Sequence, residues 1–410
     1  MNAELIAIGS ELLLGETIDT NSAYLARQLA GIGVSLFRKT VVGDNQERIA
    51  ATISEALDRA DLVICTGGLG PTVDDMTRDA VAQALGRPLV FHQHLLDQIE
   101  ARFRSFGRAM SESNRRQAYV PEGARIIENP RGTAPSFIVE DARNPDRAKS
   151  GTVIVLPGVP SEMRYLWENA VLPYLTVERR QTGIILVRTL HAAGLSESRI
   201  GELVADLMAQ DNPTLGISAK RAQYELRIGA RADSRAAAEA LADAVEATIR
   251  QRIGQYLIGL ENLDATVARL MDERGLSLAL YEGNDRGPTF RVLSAIAEGR
   301  SMLRGAMIHP LDRPADDKAA MSLARSGALS ARDHWRSALA LGVQPASTAG
   351  ADGFTMVAVV LVHPNGIVEA NRRFDLALDE GWEFVGTLAL EVLRQYLLGD
   401  QTGDRKQKTV

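Results

Sequence analysis

The chain has 410 residues, more than one ordinary hydrophobic core accommodates, and its length predicts about two to four domains. Its formal net charge of −6 disfavours a general nucleic-acid binder, and the lone Cys65 excludes an intrachain disulfide framework, whereas 45% hydrophobic and 24% charged residues are typical of globular domains. Because no apolar run is long enough to span a membrane and the N-terminus does not resemble a signal peptide, we expect a cytoplasmic protein.

The first 175 residues alternate short strands with helices. The pattern predicts strands at 5–8, 34–42, 62–65 and 153–156, and helices at 21–32, 46–57, 77–85, 92–106 and 111–118. This alternation predicts an α/β domain in three layers, with a mostly parallel sheet covered by helices on both faces. The loops after the strands then lie at one edge of the sheet, where ligands of open α/β sheets bind.

The loop that follows the third strand, residues 66–75, reads TGGLGPTVDD, and we call it the glycine–acid loop. Its glycines are Gly67, Gly68 and Gly70, and its acids are Asp74 and Asp75. The glycines allow a phosphate to approach the backbone, and the helix that follows adds partial positive charge. The two acids would repel a bare phosphate, but they fit a divalent cation that lies between them and it. A tight turn followed by helix-capping acids is the alternative interpretation.

Residues 9–22 place three polar side chains in the loop after the first strand. Asn21 is predicted to cap the first long helix, and Asp19 fits either a capping acid or a metal ligand. Glu11 has no such structural explanation, which favours a role in chemistry.

Two further loops are predicted to lie at the same edge. Residues 129–135 carry Arg131, Gly132 and Thr133, which suit a phosphate or ribose, although an ordinary turn has the same composition. Residues 157–163 contain Gly158, and Ser161 is the predicted N-cap of the next helix.

Acids, glycine loops and helix N-termini at one edge predict a site for two phosphates bridged by a metal ion. Metal-assisted attack of water on a pyrophosphate needs carboxylates that hold the ion and a base that activates the water. Since these loops contain no histidine, the base is predicted to be a carboxylate or a metal-bound hydroxide.

The remainder of the chain divides into two further predicted domains and a tail. A small α+β unit at 180–257 has predicted strands at 184–190, 214–218 and 223–228 and helices at 196–208 and 234–252. An α/β unit at 262–400 has predicted helices at 265–273, 331–341 and 382–398 and strands at 276–280, 355–362 and 367–374. Residues 401–410 are predicted to be disordered, and the polar stretch 141–150 is a predicted hairpin tip.

Four segments in order resemble the competence/damage-inducible CinA family: GSELLLG at 9–15, DTNS at 19–22, the glycine–acid loop, and LPGVPSEM at 156–163. The resemblance covers essentially the whole chain and is strongest over residues 1–175. That part is similar to the molybdopterin-binding domains of molybdenum-cofactor biosynthesis, and the middle unit resembles the KH-like connector of the family.

The resemblance implies hydrolysis of ADP-ribose to AMP and ribose 5-phosphate with a divalent metal (Mg, Mn or Co) and potassium, in a homodimer. From the net charge and the short apolar runs we expect neither nucleic-acid nor membrane partners. The implied catalytic residues are Glu11, Asp74 and Asp75, and the implied metal ligands are Asp19, Asp74 and Asp75. The implied substrate-binding residues are Asn21, Gly67, Gly68, Gly70, Thr72, Arg131, Gly132, Thr133 and Gly158.

The C-terminal third departs from the resemblance. The last domain of the family resembles a nicotinamide mononucleotide amidase whose serine nucleophile lies in a Glu-Ser-Cys-Thr-Gly-Gly turn. The corresponding turn at 282–288 reads EGNDRGP, with Gly283 in place of the serine. Because a nucleophilic mechanism needs the attacking oxygen, we predict that this domain is inactive.

Three functions therefore stay open at the level of the sequence. The first is a metal-dependent pyrophosphatase that acts on ADP-ribose or a related nucleoside diphosphate. The second is a molybdopterin- or nucleotide-binding protein without turnover, and the third is a residual nicotinamide mononucleotide amidase. The acid pair beside the glycine loop favours the first.

Overall fold

The computed structural model describes residues 1–142, 151–220, 222–296, 301–309, 314–347 and 349–399. The predicted tail at 401–410 and most of the predicted hairpin tip at 141–150 lie outside these residues. Tertiary contacts divide the chain into two compact units, one formed by Met1–Leu186 and Ala230–Ala240 and the other by Val187–Gly229 and Leu241–Val410.

A six-stranded sheet organises the N-terminal part of the chain, in the order β2-β1-β3-β8-β7-β6. Its strands are β1 (Asn2–Ile8), β2 (Ser35–Val42), β3 (Leu62–Thr66), β6 (Arg125–Ile127), β7 (Ser136–Glu140) and β8 (Thr152–Leu156). Strands β2, β1, β3 and β8 are parallel to one another. Strand β7 pairs antiparallel with both β8 and β6, so it alone runs in the opposite direction. Two short strands, β4 (Leu89–Phe91) and β5 (Tyr119–Pro121), form a separate pair.

Helices cover both faces of this sheet, as predicted. They are α1 (Ser10–Leu13), α2 (Thr20–Gly31), α3 (Gln46–Arg59), α4 (Thr77–Leu85), α5 (Gln93–Ser105) and α6 (Pro160–Leu166). Successive residues of a strand point to opposite faces, so Ile64 packs with Leu25 and Leu29 of α2. Its neighbour Val63 packs with Ile53 of α3 in the other core. The predicted three-layer, mostly parallel α/β domain is therefore confirmed.

The middle of the chain forms an antiparallel sheet with two helices. Its four strands, in the order β10-β11-β9-β12, are β9 (Ile184–Ala192), β10 (Thr214–Lys220), β11 (Gln223–Ala232) and β12 (Leu257–Gly259), and its helices are α7 (Glu197–Met208) and α8 (Arg235–Ile253). This arrangement is the predicted α+β unit.

A mixed five-stranded sheet forms the C-terminal part, in the order β14-β13-β15-β16-β17. Its strands are β13 (Leu278–Glu282), β14 (Leu303–Ile308), β15 (Leu339–Pro345), β16 (Thr355–His363) and β17 (Gly366–Phe374). The described helices are α9 (Leu263–Glu273), α10 (Pro288–Ala295), α11 (Asp317–Trp335) and α12 (Asp379–Leu397). None of the described helices combines the length and the apolar character needed to cross a membrane.

One predicted helix and the predicted N-cap of α6 are wrong. The predicted helix at 331–341 ends at Trp335, where Arg336 turns left-handed (φ 48°), and Leu339 already begins β15. Strand β15 lies between β13 and β16 and is buried on both faces. Its residues are therefore almost all apolar, and the sequence lacks the alternation that distinguishes a strand from a helix. Helix α6 begins at Pro160 after Val159, so Ser161 is not its N-cap. The helical segment predicted at 111–118 is present as a 3-10 helix at Glu112–Ala118.

Helix α11 packs very closely on the C-terminal sheet. It presents Ala320, Ala324 and Ala328 to the same core as Val360 of β16. A Cβ atom added to Gly342 of β15 would overlap the carbonyl oxygen of Ala324. The small residues on both sides therefore set the distance between the helix and the sheet.

We predict that Gly342→Ala lowers the free energy of unfolding by about 1–3 kcal/mol, because the added methyl overpacks this contact. Gly201→Ala is the matched control: Gly201 lies in α7 with open space around its Cα, and alanine there is expected to add about 0.5–1 kcal/mol. Urea unfolding of both variants measures the two changes, and equal stability of the two proteins would contradict the close packing.

Candidate active site

The first part of the glycine–acid loop passes close to the end of β1. Gly67 and Gly68 adopt left-handed backbone conformations, with φ of 100° and 64°. A Cβ on Gly67 would overlap the carbonyl oxygen of Ile8, and one on Gly68 would overlap the hydroxyl of Thr77. The glycines are therefore required by conformation and by close approach.

Not all of the loop amides face outward. The N–H of Gly67 donates to the carbonyl of Leu156 at 3.1 Å, and the N–H of Gly70 donates to Asp75 at 2.8 Å. These two amides are satisfied within the protein, so the predicted phosphate contacts of Gly67 and Gly70 are not backbone hydrogen bonds in this arrangement. Both glycines instead shape the loop.

A buried arginine holds the middle of the loop. Arg78 in the first turn of α4 is 1% exposed, and its guanidinium donates to the carbonyls of Leu69 at 2.7 Å and Gly70 at 2.9 Å. Burial lowers its pKa to about 10, which still leaves it charged at neutral pH. Gln117 also donates to Leu69, at 3.1 Å. The sequence analysis missed Arg78, whose signal is an arginine at an otherwise buried helix position beside a glycine-rich loop.

The two acids of the loop have different environments. The Asp75 carboxylate accepts from the N–H of Gly70, from the N–H of Thr72 at 2.9 Å, and from the Thr72 hydroxyl. Asp74 is exposed. A hydrogen bond from the Thr72 hydroxyl, which also contacts Asp75, and then one from the backbone N–H of Asp74 itself hold the pKa of the Asp74 carboxyl below its ordinary value. Asp75 therefore supports the loop, whereas Asp74 presents an ionised carboxylate to solvent.

The loop after β1 is connected to the turn after β8. Asp19, and not Asn21 as predicted, caps α2 by accepting from the N–H of Ser22 at 2.9 Å. The Asn21 side chain instead donates to the carbonyl of Gly158 at 2.7 Å. Its Oδ1 is buried and has no hydrogen-bond partner among the described residues. Asn21 thus offers an oxygen acceptor beside Gly158.

Glu11 lies on the exposed face of α1, and its carboxylate lies against Gly9, where β1 has ended. The neighbouring Ser10 N–H donates to Asp44 in the loop after β2, at 2.8 Å. Glu11 therefore lies at the same sheet edge as the glycine–acid loop.

The loop at 129–135 is organised by Asn129. Its Oδ1 accepts from the N–H groups of Arg131 and Gly132, both at 3.0 Å, and its Nδ2 donates to Glu162 of α6 at 2.7 Å. The Arg131 guanidinium lies over the ring of Tyr165, 4.6 Å from its centroid.

Register places all four loops at one edge. In the pairing of β3 with β8, Thr66 lies opposite Leu156, and in that of β8 with β7, Val155 lies opposite Phe137. The ends of β1, β3 and β8 and the start of β7 therefore meet at this edge. Arg131, Gly132 and Thr133 precede β7, two strands away from the glycine–acid loop.

The acids do not form a metal site made of protein ligands alone. No group of three or more His, Cys, Asp or Glu side chains with metal-binding spacing occurs within the residues that the structure describes. Asp75 is occupied by three donors, and Asp19 caps a helix. The residues fit only a cation that arrives with substrate phosphates, since Mg²⁺ commonly uses one or two carboxylates plus phosphate oxygens.

The turn after β13 in the C-terminal domain has a different chemistry. The carboxylate of the buried Glu282 accepts from the N–H groups of Thr289 at 2.9 Å and Phe290 at 3.1 Å, and its burial raises its pKa. A Cβ on Gly283 would overlap the side-chain oxygen of Gln344, which is fully buried. The space that a nucleophilic side chain at 283 needs is thus filled.

Comparison with known proteins defines the class of the N-terminal domain first. Residues 4–177 match a family model described as "Probable molybdopterin binding domain", and residues 187–259 match one described as "Damage-inducible protein CinA KH domain". The chain belongs to the CinA family, as the resemblance of its motifs predicted.

Two relatives and one solved structure illustrate the similarity. A competence-damage inducible protein of Symbiobacterium thermophilum is 46% identical over 286 residues, which cover 69% of this chain and 66% of that relative. A CinA-like protein of Kosmotoga olearia is 41% identical over 69% of this chain and 67% of its own length. The crystal structure of a CinA protein from Thermoplasma acidophilum, titled as of unknown function, is 38% identical, covers 41% of this chain and 94% of its own, and has a TM-score of 0.36.

We predict that Gly283→Ser does not produce release of ammonia from nicotinamide mononucleotide and lowers the melting temperature. The serine Cβ would displace the buried Gln344 side chain from its present place, where its amide donates to the carbonyl of Gly283 at 3.2 Å. Gly254→Ser, at a position with open space, is the control for stability. An ammonia assay and a thermal melt check both parts, and an active, equally stable Gly283→Ser protein would contradict the prediction.

Proposed function

We propose that the N-terminal domain hydrolyses the pyrophosphate of ADP-ribose, or of a related nucleoside diphosphate, to AMP and ribose 5-phosphate. The observation that carries the proposal is the separation of roles in the glycine–acid loop. Asp75 and Arg78 support its backbone, while Asp74 stays ionised and exposed. A carboxylate presented in this way suits a cation bound to two phosphates.

A divalent cation (Mg, Mn or Co) bound to the phosphates of the substrate would stabilise the charge that develops on the phosphate oxygens. Asp74 would be its protein ligand, and the buried Oδ1 of Asn21 would accept from a substrate hydroxyl or a water. Potassium remains part of this proposal as a second, loosely held cation.

Glu11 is the base that we assign to the attacking water, because it is an exposed carboxylate at the same edge. The water oxygen forms a bond to one phosphorus, and the bond between that phosphorus and the bridging oxygen breaks. The water proton passes to Glu11, and the bridging oxygen leaves with the second phosphate. No covalent enzyme intermediate is needed.

A molybdopterin- or nucleotide-binding protein without turnover is the second candidate. It is favoured by the satisfied amides of Gly67 and Gly70 and by the absence of a protein-only metal site in the described ranges. Calorimetry with nucleotides, in parallel with product analysis, separates binding from turnover.

We predict that Asp74→Asn reduces AMP release from ADP-ribose by about 100-fold or more, since it removes the charge that the substrate-bound cation needs. AMP is quantified by chromatography with Mg²⁺, Mn²⁺ or Co²⁺ in potassium buffer. Asp97→Asn, an exposed acid on α5, is the matched control and is expected to leave the rate unchanged. Absence of AMP release by the unmodified protein with every metal would refute the proposed function.

The pH profile of kcat/KM tests the role of Thr72. Because its hydroxyl is the largest cause that lowers the pKa of Asp74, Thr72→Val is expected to raise that pKa and to move the acid limb of the profile to higher pH. Activity on the alkaline side of this limb is retained. Thr52→Val on α3 is the control, and an acid limb that stays in place would contradict the role of the Thr72 hydroxyl in lowering the pKa of Asp74.

A further inference from the structure

A groove of about 700 Å³ lies between α5, α6 and the loop at 129–135. Its walls include four residues that are at most 8% exposed, namely Leu95, Ile99, Ile127 and Leu166. This volume falls within the range of about 300–1,000 Å³ that small-molecule sites occupy, and an apolar floor is typical of such sites.

Polar groups line the rim of the groove. Thr133 and Gln98 lie along it, and Arg102 donates through one terminal nitrogen to the carbonyl of Arg131 at 2.8 Å. The Nε of Arg102 is buried without a hydrogen-bond partner among the described residues. A rim of this kind suits a ligand whose edges carry hydrogen-bonding atoms.

A second unsatisfied group lies next to two residues of the groove lining, Pro135 in sequence and Ile127 across the sheet. Ser136 is fully buried, and its hydroxyl has no partner in the part of the chain that the structure describes. In the pairing of β6 with β7, Ser136 lies directly opposite Ile127, so both side chains project from the same face of the sheet. A buried polar group without a partner costs about 1–3 kcal/mol, which a water or a ligand atom that reached this hydroxyl would offset.

An aromatic wall completes the groove. Tyr165 lines it, and the Arg131 guanidinium covers one face of the tyrosine ring. Flat apolar surfaces bounded by hydrogen-bonding groups match the shape and the chemistry of a purine, whose faces are apolar and whose edges are polar.

The position of the groove relates it to the proposed pyrophosphate site. Thr133 precedes β7, and β7 is separated from β3 by β8 alone. Neighbouring strands lie about 4.8 Å apart, so the start of β7, which Thr133 precedes, lies about 10 Å from the end of β3 along the sheet edge. This spacing is similar to the reach from the pyrophosphate of a nucleotide to its base.

We propose that this groove binds the purine nucleoside end of the substrate, with the base between Ile99 and Tyr165 and the ribose near Thr133. The inference rests on the proposed function, which places the pyrophosphate at the glycine–acid loop. The groove would make the protein specific for nucleotides, because a phosphorylated sugar without a base would contact only that loop.

The experiment places a large side chain into the groove by substitution of a residue on α5. Ala101 is exposed and lines the groove, whereas Arg104 is exposed on the same helix and does not line it. Titration calorimetry of the full chain uses AMP as the nucleotide probe and ribose 5-phosphate as the probe without a base. Ala101→Trp is expected to weaken AMP binding about tenfold or more and to leave ribose 5-phosphate binding unchanged, while Arg104→Trp changes neither.

Equal AMP affinity in the unmodified protein and Ala101→Trp would overturn the groove assignment, as would absence of AMP binding by the unmodified protein. Hydrolysis assays of the unmodified protein, Asp74→Asn and Ala101→Trp separate the two proposals. If the unmodified protein does not hydrolyse ADP-ribose but Ala101→Trp loses AMP binding, the pyrophosphatase proposal fails and the groove assignment stands. If Asp74→Asn abolishes hydrolysis but Ala101→Trp has the same KM for ADP-ribose as the unmodified protein, the pyrophosphatase proposal stands and the groove assignment fails.

Discussion

The glycine–acid loop depends on the buried guanidinium of Arg78, which donates to two consecutive loop carbonyls. Without this guanidinium the carbonyl of Leu69 would keep the Gln117 amide as a donor, but the carbonyl of Gly70 would lose the donor that Arg78 supplies. Leu69 is buried, so this part of the loop cannot turn outward without loss of packing. Arg78 thus fixes the middle of the loop, from which the chain continues to the exposed Asp74.

Much of this architecture was predictable because it depends on local pattern. The strands that precede the loops are short apolar runs, and the glycines mark positions where the backbone turns left-handed. The edge at which the loops meet follows from the parallel topology. The three-layer fold and the convergence of the four loops therefore required only the order of strands and helices.

The partners of individual side chains were not predictable in the same way. Asn21 looked like a helix cap, yet its amide bonds to Gly158, 137 residues away, and Asp19 takes the cap instead. Asp75 resembles Asp74 in sequence but is surrounded by three donors of its own loop. The C-terminal strand β15 was predicted as part of a helix, since a run that is apolar on both faces has no distinguishing period. In each case the outcome depends on contacts that only the folded chain creates.

The contact between Gly283 and Gln344 also couples the two positions energetically. A side chain at 283 requires the Gln344 amide to leave its present place, so the effects of substitutions at the two positions are expected not to add. A residue smaller than glutamine at 344 would leave room for a side chain at 283, whereas a change at 283 alone would displace a buried amide that donates to the Gly283 carbonyl. A library varied at both positions is therefore expected to yield stable pairs of substitutions more often than stable single substitutions at 283.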